Sequence, residues 1–163
     1  IANPGPLGLS AFALTTFVLS FFNAGIIVNQ SASAALVISL ALGYGGLVQL
    51  LAGMWEFRCG NTFGATAFSS YGGFWISFGL ILSPSSGIIN AYTSTNDISD
   101  LENGLGIYLL SWGIFTFLML VAAHRTNVAM VSLFASLFIT FMLLAFGKFN
   151  SDLGLQKAGG IFG

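Results

Sequence analysis

Polar side chains recur at helical spacing inside otherwise apolar stretches of the chain. In the first stretch Thr16, Ser20 and Asn23 follow one another at steps of three and four residues, and Thr15 lies beside them. Residues at these steps share one face of an α-helix. Hydroxyl and amide groups can replace water around a small polar solute, so such a face could line a water-filled path between helices.

Similar polar stripes occur in three later apolar stretches. Ser132, Ser136 and Thr140 lie at strict four-residue spacing, and Gln49 and Glu56 lie two turns apart on one face. A further stretch is dense in hydroxyl residues at Thr66, Ser69, Ser70, Tyr71 and Ser77. Serine and threonine in membrane helices also bond their own backbone or a neighbouring helix, so a packing role stays open for each stripe. The candidate path residues are Thr15, Thr16, Asn23, Gln49, Ser69, Ser70 and Ser136.

Two bulky rings and one carboxylate stand out among these stripes. Phe12 and Tyr71 each lie among the hydroxyl residues of their own helix, where a ring could narrow a polar path, although ordinary packing would also explain them. Glu56 is the carboxylate that lies within an apolar stretch, and Arg58 follows it at the helix end. A surface-anchoring pair is favoured over a proton-coupling site at Glu56.

The composition indicates that lipid surrounds the elements that carry these residues. Hydrophobic residues make up 56% of the 163-residue chain and charged residues only 6%, with a mean hydropathy of +0.91. Soluble domains carry about a quarter charged residues, and no soluble surface can be built from so few. The four Lys and Arg residues and the net charge of −1 exclude a nucleic-acid footprint.

Residues for catalysis, metal binding or a cofactor are not recognisable in the sequence. Cys59 is the single cysteine, which excludes an internal disulfide, and no paired histidines or cysteines have metal-ligand spacing. No nucleophile elbow, pair of catalytic carboxylates or phosphate-binding loop occurs. We therefore predict no catalytic residue, no metal, no cofactor and no enzyme activity.

Five apolar segments can be separated at their polar connectors, at 7–27, 34–57, 64–83, 105–123 and 128–147. About 20 helical residues cross a hydrocarbon core of ~30 Å, so each segment is long enough to span it. A sixth segment begins at 154 and stops after ten residues, as if cut. The prediction is a single transmembrane domain, 1–163, an all-α polytopic bundle of six helices with the sixth truncated. The connectors are a tight polar turn at 29–33 and one long loop in water at 84–103, while loop charges leave the orientation open.

Several motifs in these segments resemble one family of membrane proteins. The run Asn3-Pro4-Gly5-Pro6-Leu7-Gly8-Leu9 closely resembles the NPAPLGL motif of the acetate uptake, or succinate–acetate permease, family, with Gly5 in place of the common Ala. The resemblance covers essentially the whole chain and is strongest to the fungal branch. It continues at Phe12-x-x-Thr15-Thr16, Tyr44-Gly45-Gly46, Gln49, Ala52-Gly53, Glu56, Gly60-Asn61-Thr62-Phe63-Gly64, Tyr71-Gly72, Phe74-Trp75 and Trp112-Gly113-x-Phe115-Thr116.

This resemblance implies a six-helix protomer in a membrane ring, commonly a homo-hexamer, with a separate substrate path in each protomer. It also implies a plasma-membrane location with both termini cytoplasmic, and proton-linked movement of acetate and related monocarboxylates, with succinate in some members. The family's hydrophobic constriction is carried over to Phe12, Tyr71 and Leu137, the last by its spacing from Trp112.

The leading functional prediction is a transporter or channel for small carboxylates, with protons and the lipid bilayer as its other partners. One alternative is a membrane sensor or assembly protein that transports nothing, and another is a channel for a neutral solute such as urea or ammonia. The residues leave open whether the anion or the neutral acid would pass, and whether acetate or succinate is preferred.

Overall fold

The computed structural model describes residues 1–29 and 34–163, and these ranges hold helices and no β-strand. Apart from Asn29, the polar turn predicted at 29–33 lies outside the described residues. The all-α class is confirmed. The helices are α1 (Gly5–Ala24), α2 (Ala35–Leu42), α3 (Gln49–Arg58), α4 (Thr62–Leu82), α5 (Ile88–Ser94), α6 (Ile98–Ala123), α7 (Val128–Phe149) and α8 (Leu153–Phe162).

Five helical stretches of the described chain are long and apolar enough to cross a bilayer. They are Gly5–Ala24, Ala35–Arg58, Thr62–Leu82, Ile98–Ala123 and Val128–Phe149. The second combines α2 and α3 through a π-helical segment, Gly43–Val48. Each stretch coincides with one of the five predicted segments, and most ends differ by only a few residues. The chain is therefore a multi-pass membrane protein.

Two capping side chains and one glycine explain the starts of α1 and α4 and the end of α3. Asn3 Oδ1 accepts a hydrogen bond of 2.9 Å from the Gly5 backbone N–H at the start of α1. At the end of α3 the chain reverses through Gly60, whose φ of +77° lies in the left-handed region that favours glycine. Asn61 then caps α4, because its side chain accepts from the Gly64 backbone N–H at 3.1 Å.

The segment predicted as one long loop, 84–103, is largely helical. It contains a 3-10 turn at Pro84–Ser86, the short helix α5 and the first residues of α6, which begins at Ile98 instead of at 105. Asp97 and Asp100 lie at the start of α6, where acidic groups favour the exposed N–H groups of a helix N-terminus. The polar residues near the end of this segment belong to the first turns of α6. An apolar run does not mark this helix start, because these first turns are polar.

Contacts divide the chain into two compact units, and the predicted single domain stays a prediction. The first unit, Ile1–Leu19 with Ser33–Asn90, contains most of α1 together with α2, α3 and α4. Methyl groups built on Gly53 and Gly79 would meet Ser69 and Leu42, so α4 runs antiparallel to the α2–α3 stretch. Phe68 lies against Gly8 and Trp75 against Phe12, so α1 and α4 run parallel.

The second unit, Ser20–Ala32 with Ala91–Gly163, is built on an antiparallel pair, α6 and α7. Phe117 and Phe138 lie 5.5 Å apart between ring centroids, while a methyl on Gly106 would lie 2.5 Å from Phe149. The helix α8 packs on α7 and on the last turn of α1, where Gly160 contacts the Ala24 backbone N. This small-residue contact allows the short helix to lie close to its neighbours.

Candidate functional site

Aromatic rings of the first unit meet between α1 and α4. The Phe12 ring lies 5.4 Å from Tyr71 and 6.4 Å from Trp75 between centroids, with interplanar angles of 60° and 62°. Tyr71 and Trp75 are 2% and 1% exposed, whereas Phe12 is half-buried. The structure thus brings together two of the three predicted constriction residues in an edge-to-face arrangement.

The π-helical segment brings the α2–α3 stretch close to α1. A methyl group on Gly45 would lie 2.6 Å from Thr15 Oγ1, so only glycine permits this approach. A π-helical turn inside an α-helix changes which residues face a neighbour and is often found at functional sites. Gln49, which is 1% exposed, follows Gly45 by four residues and begins α3.

Gln49 shares a helix face with Gly53, one turn further along α3. A methyl group on Gly53 would overlap Ser69 Oγ of α4. The face that carries Gln49 is therefore turned toward α4. The two helices are also close next to Gln49, because a methyl on Gly72 would lie 2.8 Å from the Leu50 backbone N. By this helix register Gln49 lies at the level of Phe12 and Tyr71.

Four buried polar atoms of the first unit have no hydrogen-bond partner within residues 1–29 and 34–163. They are Ser69 Oγ, Gln49 Oε1, Trp75 Nε1 and Thr16 Oγ1. The register of the three helices places the residues that carry these atoms in that order along the helix axes, over about 13 Å at 1.5 Å per residue. Buried polar atoms are nearly always bonded, so a row of exceptions indicates positions that a polar ligand or water would occupy.

Glu56 lies at one end of this unit and does not pair with Arg58 in the described chain. It is 3% exposed, and its Oε2 accepts from Asn61 Nδ2 at 2.8 Å, while Arg58 is exposed. A methyl on Gly64 would lie 3.1 Å from Glu56 Cδ, and one on Gly5 would lie 3.6 Å from Oε1. The carboxyl group therefore lies beside the N-termini of α1 and α4, where helix dipoles favour negative charge. The groups around this carboxylate are therefore the side chain of Asn61, which caps α4, and the first turns of α1 and α4.

The other predicted site residues of the first unit have bonded or half-buried positions. Thr15 is fully buried, and its hydroxyl donates to the Ala11 carbonyl at 2.9 Å, as the local-bonding alternative predicts. Ser70 is half-buried on α4. The predicted path residues that the structure collects in this unit are Thr15, Thr16, Gln49, Ser69 and Ser70.

The remaining predicted site residues belong to the second unit. Asn23 is half-buried near Gly160, Leu137 is 7% exposed, and Ser136 is exposed. The Ser136 carbonyl accepts from the Thr140 hydroxyl at 2.9 Å, which is again a bond within one helix. No group of three or more metal-ligand side chains occurs among the described residues.

Trp75 is a site residue that the sequence analysis did not propose. It contacts Phe12 and contributes one of the unpartnered atoms, yet it appeared there only as part of a family motif. A periodic signal was present, because Trp75 follows Tyr71 by one helical turn and so continues the face of a predicted constriction residue.

Comparisons with known proteins show the family of the chain and match its fold. A protein-family model described as the GPR1/FUN34/yaaH family matches residues 1–163. A solved structure described as the bacterial acetate channel SatP superposes with a TM-score of 0.86 at 34% identity, covering 99% of this chain and 83% of that one.

Curated relatives carry names of several kinds. Acetate permease A of Emericella nidulans is 52% identical over 170 residues, and Ammonia transport outward protein 2 of Saccharomyces cerevisiae is 50% identical over 165 residues. Each match covers 99% of this chain and 56% of the relative, so the chain spans about half the length of these two proteins. The succinate-acetate/proton symporter SatP of Escherichia coli is 35% identical over 164 residues, covering all of this chain and 81% of that protein.

Proposed function

Since the chain belongs to the GPR1/FUN34/yaaH family, we propose that it forms the path of a membrane transporter or channel for acetate and related short carboxylates. The unpartnered buried polar atoms on α1, α3 and α4 carry this proposal. These neutral hydroxyl, amide and indole groups can bond a small carboxyl group weakly enough to release it again, which conduction requires. The names of an acetate permease and a succinate-acetate/proton symporter among the relatives support acetate, succinate and protons as the transported species.

The direct test is uptake of labelled acetate by vesicles that contain the full-length protein. With an inward proton gradient, uptake should exceed that of protein-free vesicles prepared from the same lipid. Equal uptake in both preparations would contradict the transport proposal and favour a sensor or assembly protein.

A second candidate function is passage of a neutral small solute such as ammonia or urea. The name Ammonia transport outward protein 2, on a relative that is 50% identical, favours keeping this candidate. In the same vesicles an excess of urea or ammonium should leave acetate uptake unchanged if acetate is the substrate. Strong competition by urea would indicate a path selective for neutral solutes.

The proposal includes a homo-hexameric ring in the plasma membrane with both termini cytoplasmic, as the resemblance implies. Large apolar side chains on the outer faces of the spanning helices are compatible with contacts to lipid or to neighbouring protomers. Trp55 and Leu51 of α3 are 58% and 54% exposed, and Leu118 of α6 is 61% exposed. No catalytic activity and no cofactor form part of the proposal.

Glu56→Gln tests whether this carboxylate carries a proton. We expect the pH dependence of acetate uptake to stay unchanged, because Glu56 is bonded to Asn61 and lies beside two helix N-termini. Loss of the charge should lower stability by about 1 kcal/mol through the helix dipoles. The measurements are initial uptake between pH 5 and 7 and the thermal unfolding midpoint in detergent.

Glu102→Gln is the matched control for Glu56→Gln. The Glu102 carboxylate is paired with Lys148 Nζ at 3.1 Å within the second unit. Glu102→Gln therefore also removes one carboxylate charge, but it leaves the residues around Glu56 unchanged. If Glu56→Gln abolished the pH dependence in correctly assembled protein while Glu102→Gln did not, Glu56 would be the proton carrier.

A further inference from the structure

We infer that the species bound beside Gln49 is the uncharged carboxylic acid, so that the coupled proton travels on the substrate. This inference rests on the proposed function and adds the charge state of the substrate at one position of the path. It is carried by Gln49 Oε1, the one unpartnered atom of the four that can only accept, and by the distribution of charge in the first unit.

The first argument concerns Gln49 Oε1. This oxygen is an acceptor, is buried, and has no donor within the described ranges. A carboxylate has no proton to donate to it, whereas a carboxylic acid can donate its O–H. The carbonyl oxygen of the same acid can accept from an N–H or O–H donor. Trp75 Nε1 lacks an acceptor among the described residues. The residue Trp75 is offset from Gln49 by two positions in the helix register, which corresponds to about 3 Å along the axis.

The second argument concerns charge. The charged side chains of the first unit are Glu56 and Arg58, and Arg58 is exposed at the end of α3. Glu56 lies two turns from Gln49 on the same helix face and carries the same sign as a carboxylate substrate. A desolvated anion beside Gln49 would therefore meet neutral donors and a repelling charge, because Arg58, the cationic side chain of this unit, is exposed nine residues away at the end of α3. A neutral acid avoids both costs.

The two arguments together assign a simple form of proton coupling. The acid binds with its O–H donating to Gln49 Oε1 and its carbonyl accepting from Trp75 Nε1. No bond to the transported proton breaks in this step, and no side chain of the protein has to change its protonation state. Each acid molecule that crosses delivers one proton, which agrees with the expectation that Glu56→Gln retains the pH dependence.

Two substrate analogues of fixed charge test this inference in vesicles that hold the full-length protein. Acetamide has the shape of acetic acid, is uncharged, and offers one donor and one acceptor side, whereas methanesulfonate is ionised at every pH used. We expect an excess of acetamide to lower protein-dependent uptake of labelled acetate at least about twofold, and an equal excess of methanesulfonate to leave it unchanged. Competition by methanesulfonate but not by acetamide would overturn the inference while acetate transport itself stands. If no protein-dependent acetate uptake occurs, the proposed function fails, and the inference fails with it.

Gln49→Leu tests the position. It removes both hydrogen-bonding groups and preserves most of the side-chain volume, so uptake by assembled protein should fall about tenfold, as loss of about 1.4 kcal/mol corresponds to. The remaining uptake should lose its inhibition by acetamide. Gln156→Leu is the matched control, because the Gln156 amide donates to the Gly147 carbonyl within the second unit. Retention of acetamide inhibition in Gln49→Leu would overturn the assignment to this residue.

Discussion

Gly72→Ala should abolish most of the correctly assembled protein. The added methyl group would lie 2.8 Å from the Leu50 backbone N and 3.0 Å from the Gly46 carbonyl oxygen, and backbone atoms cannot rotate away. Accommodating it requires α4 to move away from the α2–α3 stretch, at a cost of about 3 kcal/mol. The amount of monodisperse protein after detergent extraction and its thermal unfolding midpoint measure this effect.

The neighbouring glycine provides the matched control. Gly73 is exposed, and a methyl group built on it meets no atom within 4 Å. Gly73→Ala should therefore leave assembly intact and raise stability by up to about 1 kcal/mol through its helix propensity. Equal losses in both variants would mean that Gly72 is not needed for the contact between α4 and the α2–α3 stretch.

The spanning helices could be predicted because the bilayer demands long apolar runs. The predicted segment 128–147 falls within Val128–Phe149, and the predicted start at 154 lies one residue after the start of α8. The helix content of 84–103 could not be predicted in the same way. A short helix in a polar segment is stabilised mainly by its contacts with the rest of the protein. The seven residues of α5 are too few, and too polar, to give a recognisable helical pattern in the sequence.

The π-helical segment Gly43–Val48 is a second feature that spacing does not reveal. A π-helical turn changes the angle between successive residues, so a count in steps of four no longer assigns faces reliably across it. Gly45 belongs to one of the family motifs, and the structure shows that it allows one particular contact with Thr15. Which glycine meets which neighbour follows from the register between helices, and local spacing contains no information about that register.

The candidate site was predicted in part. The stripe that contains Thr16 and the face that contains Gln49 correspond to unpartnered buried atoms, since polar groups in a membrane helix turn away from lipid. The expected pair of Glu56 and Arg58 is not found in the described chain, because the reversal at Gly60 brings Asn61 back to the carboxylate. Proximity in sequence suggested Arg58 as the partner of Glu56. In the structure the turn between α3 and α4 makes Asn61 its partner.

Phe12→Ala should raise the uptake of succinate or lactate relative to acetate about tenfold or more. Size selection along a path of weak neutral donors depends on its narrowest apolar point, and the Phe12 and Tyr71 rings lie 5.4 Å apart at the level of Gln49. Removal of a ring from such a point admits longer acids, and discrimination by apolar volume is worth about 1–3 kcal/mol. The ratio of initial uptake rates, normalised to assembled protein, is the measurement.

Phe17→Ala is the matched control, because it removes the same ring from the same helix at a side chain that is 61% exposed. Phe12→Leu is the conservative variant, since it retains apolar volume if Phe12→Ala fails to assemble. Leu137→Ala of the second unit tests the third residue that the family resemblance assigns to the constriction, and we expect the same direction with a smaller change. If the ratio stays at its original value in Phe12→Ala, Phe12→Leu and Leu137→Ala, then size selection does not depend on these residues. The Phe12–Tyr71 contact would then serve only to hold α1 against α4.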